Sequence, residues 1–103
     1  MELAITSHKA QAGITLQVTG EADVSCADRL RSELDAALAE KPAKLVVDLS
    51  GLSYIDSTGI GTLVAAAHHA TDASVPFSVE NPQRNVARVF SLLGVSEDLG
   101  VKA

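Results

Sequence analysis

The sequence predicts an α/β fold, a mixed sheet of four to five strands with helices packed against it. Three observations carry that prediction. Apolar residues recur at period two near the start and at helical period afterwards; a short β-branched run without alternation sits mid-chain; and the links between periodic segments are short. A chain of 103 residues has room for one domain over 1–103, and little for a deep internal cavity besides its core.

Leu3 and Ile5, then Ile14, Leu16 and Val18, alternate, and Gly13 and Gly20 punctuate them, so two strands joined by a turn near His8 to Gly13 are expected. After Gly20 the period lengthens. Ser25 and Asp28 have the spacing of a capping box, and Leu30, Leu34, Ala37 and Leu38 fall on one stripe, which predicts a helix from about Ser25 to Glu40. Pro42 closes that region. Lys44 to Leu49 (KLVVDL) then reads as a central, parallel strand covered on both faces.

Residues 50–57 (SGLSYIDS) read as a loop, after which Ile60, Leu63, Val64 and Ala67 return at helical spacing up to about Thr71 and Asp72. Pro76 to Glu80 is a further strand. Asn81-Pro82 has the form of a helix start, with Asn as N-cap and Pro where its missing N–H costs nothing. Val86, Val89, Phe90 and Leu93 form that helix's buried stripe, Gly94 suits a left-handed end, and Leu99 to Lys102 is expected to add a small strand. The predicted order is β-β-α-β-α-β-α.

Composition narrows the function. Eight Lys and Arg against thirteen Asp and Glu give a formal charge of -5, with no basic face for nucleic acid or anionic membrane. Tyr54, Phe77 and Phe90 are the only aromatic residues, too few for a stacking platform. Cys26 is the single cysteine and is expected to be a small half-buried side chain. MELAITSHKA lacks a basic stretch followed by an apolar core, and the longest apolar run, Leu63 to Ala67, is far short of the ~20 residues that span a bilayer. A cytoplasmic location is the expectation.

One segment is not explained by composition: Tyr54-Ile55-Asp56-Ser57-Thr58-Gly59-Ile60-Gly61, an acid, two hydroxyls and two glycines where a strand region gives way to a helix. Open α/β sheets carry function beyond the carboxyl ends of their strands. The first turn of a helix has unpaired N–H groups that favour anions, and Asp56 or Ser57 can serve as its N-cap. Gly59 and Gly61 each cost up to ~1 kcal/mol in a helix interior, so either a partner or tight packing on the sheet must explain them.

Catalytic templates fail here. The segment lacks Asp followed directly by Ser or Thr and then Gly, as well as G-x-S-x-G, G-x-x-x-x-G-K-[ST] and G-x-G-x-x-G. Asp48 could act as a receiver-type phospho-acceptor, but Leu3 to Ser7 supplies no acidic pair for Mg²⁺. His68 and His69 are adjacent and diverge by about 100° on a helix, and His8 stands alone in a turn, so no metal or cofactor site is expected. No group that would activate a nucleophile lies near Ser57, and a non-enzyme is expected.

Three blocks together carry a resemblance: Gly20-Glu21-Ala22-Asp23, Leu45-Val46-Val47-Asp48-Leu49-Ser50 and Tyr54-Ile55-Asp56-Ser57-Thr58-Gly59-Ile60. Over essentially its whole length the chain resembles a STAS domain of the small anti-sigma factor antagonist kind. The resemblance implies that Ser57 is a phosphorylation site, that Asp23 and Asp56 are the acidic positions beside it, and that Asp23, Asp56, Ser57, Thr58, Gly59 and Ile60 contact the partner. It also implies an anti-sigma factor Ser/Thr kinase that binds the unphosphorylated form, and a PPM-type phosphatase acting on phospho-Ser57. Thr58 is the alternative acceptor. Other STAS domains serve as unphosphorylated subunits of ABC-type lipid transport systems or regulate targets other than sigma factors.

Overall fold

In the computed structural model, residues 3–102 are described. β1 (Ala4–Ala10) and β2 (Gly13–Ala22) form an antiparallel hairpin whose last pair is Ala10 with Gly13. The turn is therefore only Gln11-Ala12, and the strand runs through His8, which the sequence reading had placed in the turn. Ile14, Leu16 and Val18 are buried and Gln17 and Thr19 exposed, the expected period-two pattern.

A short 3₁₀ turn (Val24–Cys26) leads into α1 (Ala27–Ala39), which buries Leu30, Leu34, Ala37 and Leu38 as its stripe predicts. Its start differs from the expected capping box. Asp23 caps the turn, and Ser25 donates to that carboxylate instead of pairing with Asp28. An ionised carboxylate is a stronger acceptor than a serine hydroxyl, so the charged residue takes the cap.

β3 (Leu45–Asp48) is the predicted central strand, lying parallel between β2 and β5 (Phe77–Glu80). The segment read as a loop contains another strand, β4 (Leu52–Ile55). β2 is ten residues long; Ile14 to Gln17 pair with β3, and Gly20 to Ala22 pair with β4 across a bulge at Gly20/Glu21. Asp48 Oδ1 accepts the Ser50 N–H at 2.9 Å, making the turn between β3 and β4 that lets the chain resume along β2. The sheet thus has five strands in the order β1-β2-β3-β5, with β4 also on β2.

α2 (Ser57–Asp72) begins and ends where expected, burying Ile60, Leu63, Ala66, Ala67 and Ala70. α3 (Arg84–Leu92) starts later than expected: Asn81 lies at φ +56°, outside the N-cap region, and its N–H donates to Lys102 O, so Gln83 takes the N-cap position. Leu93 is 56% exposed and is the C-cap, just past the helix end at Leu92, rather than part of the buried stripe. Gly94 adopts the left-handed φ of +70°. The tail contributes a single parallel bridge, Glu80 with Lys102, rather than a strand, while Leu99 is fully buried against the core.

Ser74, just past α2, is exposed and held at φ +60°, a conformation that costs a residue with a side chain ~1–2 kcal/mol. Ser74→Gly removes that strain but adds ~0.5–1 kcal/mol of unfolded-state entropy. The thermal unfolding midpoint is expected to rise by a few degrees; a fall would contradict the left-handed assignment.

Candidate functional site

The carboxyl end of β2 and the amino end of α2 meet at one residue. Asp56 N–H donates to Ala22 O at 3.0 Å, which extends the β2–β4 pairing by one step, and Asp56 O accepts the Ile60 N–H at 2.9 Å as the first turn of α2. Its side chain bridges outward as well. Oδ1 accepts the Gly59 N–H at 2.9 Å and caps the helix, while Oδ2 accepts the Val24 N–H at 3.1 Å from the turn after β2. The sequence left the cap open between Asp56 and Ser57; it is Asp56.

Ser57 is then the first residue of α2, and both it and Thr58 are exposed. Among the described residues nothing hydrogen-bonds the Ser57 hydroxyl. The Thr58 carbonyl accepts from the Thr62 hydroxyl at 2.9 Å. The helix end here supplies backbone N–H groups and a partial positive charge, so a group added to Ser57 would meet a site that tolerates negative charge, offset by the Asp56 carboxylate next to it.

Asp23 is brought to the same end of the molecule, since its neighbour Val24 is bonded to Asp56. Asp23 Oδ1 accepts from the Ser25 hydroxyl at 2.5 Å and from the Ser25 N–H at 3.0 Å. The Ser25 hydroxyl, aided by its backbone N–H and by the Cys26 thiol, holds the Asp23 carboxyl below its ordinary value of 3.8. Cys26 is half-buried as expected, with its thiol against Glu21 O at 3.4 Å.

The remaining two site residues face inward. Ile60 is 4% exposed and belongs to the core, so its side chain is not part of the surface that a partner would meet. Gly59 is buried too; a Cβ there would lie 2.8 Å from Ile55 Cγ1 and 3.0 Å from Ala22 O. The two glycines thus differ. Gly59 lets α2 sit tightly on β2 and β4, whereas Gly61 is exposed with nothing within 4 Å of its missing Cβ.

Val24 was not singled out by periodicity, yet it is 71% exposed and lies in this patch. Its sequence signal is faint: one aliphatic residue between Asp23 and Ser25, off the helical stripe. His8 lies beside Gln17 (3.1 Å), and His68 and His69 are exposed on α2. Among the described residues no three His, Cys, Asp or Glu side chains are grouped to hold a metal, and no helix is long and apolar enough to cross a membrane.

The contrast between the glycines is testable. Gly59→Ala is expected to destabilise by about 1–3 kcal/mol through overpacking, and Gly61→Ala to stabilise by up to about 1 kcal/mol, both read from urea unfolding midpoints. Equal effects would contradict the packing described. For Asp23, a carboxyl held below its ordinary value contributes stability above pH 3.8, which is lost as pH falls through its lower folded-state value. The Asp23 carboxyl resonance should titrate with a midpoint below 3.8 and move back toward it in Ser25→Ala; an unchanged midpoint in that variant would remove Ser25 as the cause.

Comparison with known proteins agrees with this architecture. The family model described as Mlab, STAS domain, matches residues 5–101. The anti-sigma-B factor antagonist of Bacillus subtilis (strain 168) is 29% identical over 103 residues, covering 100% of this chain and 94% of that protein. Among solved structures, an anti-sigma factor antagonist from Mycobacterium paratuberculosis superposes with a TM-score of 0.88 at 23% identity, covering 97% of this chain and 85% of that one. The anti-sigma factor antagonist SpoIIAA in its unphosphorylated form gives 0.81 at 18% identity, covering 97% and 89%.

Proposed function

The chain belongs to the STAS domain family, and from that premise we propose that it is an anti-sigma factor antagonist switched by phosphorylation of Ser57. The unphosphorylated form binds an anti-sigma factor that is also a Ser/Thr kinase and so releases a sigma factor; the phosphorylated form does not bind; a PPM-type phosphatase restores it. The observation that carries the reading is Ser57 itself, an exposed hydroxyl on the first residue of α2, immediately after the capping Asp56 and close to the Asp23 turn. A relative with that name, aligned along the whole chain, supports it.

The chain supplies one hydroxyl, and the partner brings ATP and the catalytic groups. Transfer of a phosphoryl group adds about -1.5 to -2 charges at pH 7, beside an Asp56 carboxylate that is already committed to two N–H groups, on a chain of formal charge -5. The helix end offsets ~0.3–1 kcal/mol of that charge, enough to keep the fold. A partner surface closed over Ser57 must instead desolvate a dianion next to a carboxylate, which costs several kcal/mol. Binding is lost because the surface charge changes, with no refolding required.

Ser57→Ala should bind the kinase and resist inactivation, and Ser57→Asp should bind at least about tenfold more weakly, measured by titration calorimetry with the purified kinase; equal binding by both would count against the switch. After incubation with kinase and ATP, mass spectrometry should place the phosphate on Ser57. A phosphate on Thr58 would reassign the acceptor. Stable binding to an ABC-type ATPase with no phosphate transfer would replace the reading by that of a constitutive transport subunit.

A further inference from the structure

We infer that Val24 is an apolar anchor of the partner-binding surface and that Asp56 is the residue that positions it, an inference that rests on the antagonist reading above. Val24 is 71% exposed, and in the 3₁₀ turn that carries it only the half-buried Cys26 packs against the core, so Val24 itself is not there to fill it. An aliphatic side chain on a short turn ordinarily contributes little. Here it is fixed from both sides: Asp23 and Ser25 are tied by two hydrogen bonds across it, and its own N–H is held by Asp56 Oδ2 at 3.1 Å.

The other oxygen of the same carboxylate holds the Gly59 N–H at 2.9 Å, in the helical turn that carries Ser57 and Thr58. One side chain therefore sets Val24 and Ser57 in a fixed relation. A pre-ordered aliphatic group contributes affinity without the entropy cost of being immobilised on binding, and anchors of this kind dominate interfaces when they fill a pocket. The occupant is the anti-sigma factor, and the patch defines what it must present: an apolar socket for Val24, with a cationic side chain at its rim opposite the ionised Asp23.

On this view Asp56 matters less as a charge that the partner touches than as a brace. Asp56→Asn breaks the brace, because its amide oxygen can still cap Gly59 while its NH₂ group turns a donor toward the Val24 N–H; exchange of the Val24 amide in the free protein then reads the brace apart from the lost charge. The test is calorimetric titration of wild type, Val24→Ala, Asp56→Asn and Leu92→Ala against each serine-kinase anti-sigma factor of the same genome, purified singly, together with amide exchange of the free proteins by NMR. Leu92 is an equally exposed aliphatic residue outside the patch, at 76%.

The expected result is a Kd raised roughly tenfold or more by Val24→Ala and by Asp56→Asn, and changed less than about twofold by Leu92→Ala. Asp56→Asn should also speed exchange of the Val24 amide. Val24→Ala binding within about twofold of wild type would overturn the anchor, and Asp56→Asn weakening the complex without altering the Val24 amide would overturn the brace. Wild type binding none of these kinases would instead overturn the antagonist reading, and this inference with it.

Discussion

Four hydrogen bonds converge on Asp56, and the geometry of the functional end follows from them. Its N–H ends the β2–β4 ladder at Ala22, its carbonyl starts α2 at Ile60, and its carboxylate reaches Gly59 on one side and Val24 on the other. A strand end, a helix start and a separate turn are thereby referenced to one residue. An uncharged residue at this position could continue the backbone pattern but could not accept from both Val24 and Gly59. Charge-assisted acceptance is also what makes the arrangement worth its exposure, since bonds to an ionised oxygen are about twice as strong as neutral ones.

Gly59 belongs to the same constraint. Asp56 can reach back to the β2 turn only if the first turn of α2 lies close to β2, and a Cβ at position 59 would stand at 3.0 Å from Ala22 O. The short capped helix start and the missing side chain are two expressions of one close approach. Gly61, two residues on and in open space, is free of that requirement, and nothing in the fold calls for a glycine there.

Much of this was legible in the sequence because it is written in period. α2 was placed to within about a residue by the return of Ile60, Leu63 and Ala67 after Ser57, and β3 lies inside the unalternating run Lys44 to Leu49 that a strand between two others would bury. β4 was not legible. Four residues with a buried, exposed, exposed, buried pattern have neither period, and they become a strand only because β2 extends far enough beyond β3 to leave a free edge for them. Asp23 was read from the family resemblance as an acidic neighbour, but its capping of the 3₁₀ turn was hidden because Ser25 and Asp28 offered a regular capping-box spacing three residues apart. Asn81 misled for a related reason: its pairing with Lys102 O joins positions that only the folded chain brings together.

The same distinction bears on how, under the proposed function, so small and acidic a chain would act as a switch. Nothing in its interior must move for its surface to change, because the acceptor hydroxyl projects from a helix end whose backbone is already secured by Asp56. Phosphate placed on a loose loop could swing away from a partner and lose its effect at little cost. Placed on Ser57, it is held where the braced turn and the first turn of α2 meet, so the repulsion and desolvation it imposes cannot be relaxed by local motion. On the proposed reading, rigidity at Ser57 is what would convert two added charges into a loss of binding.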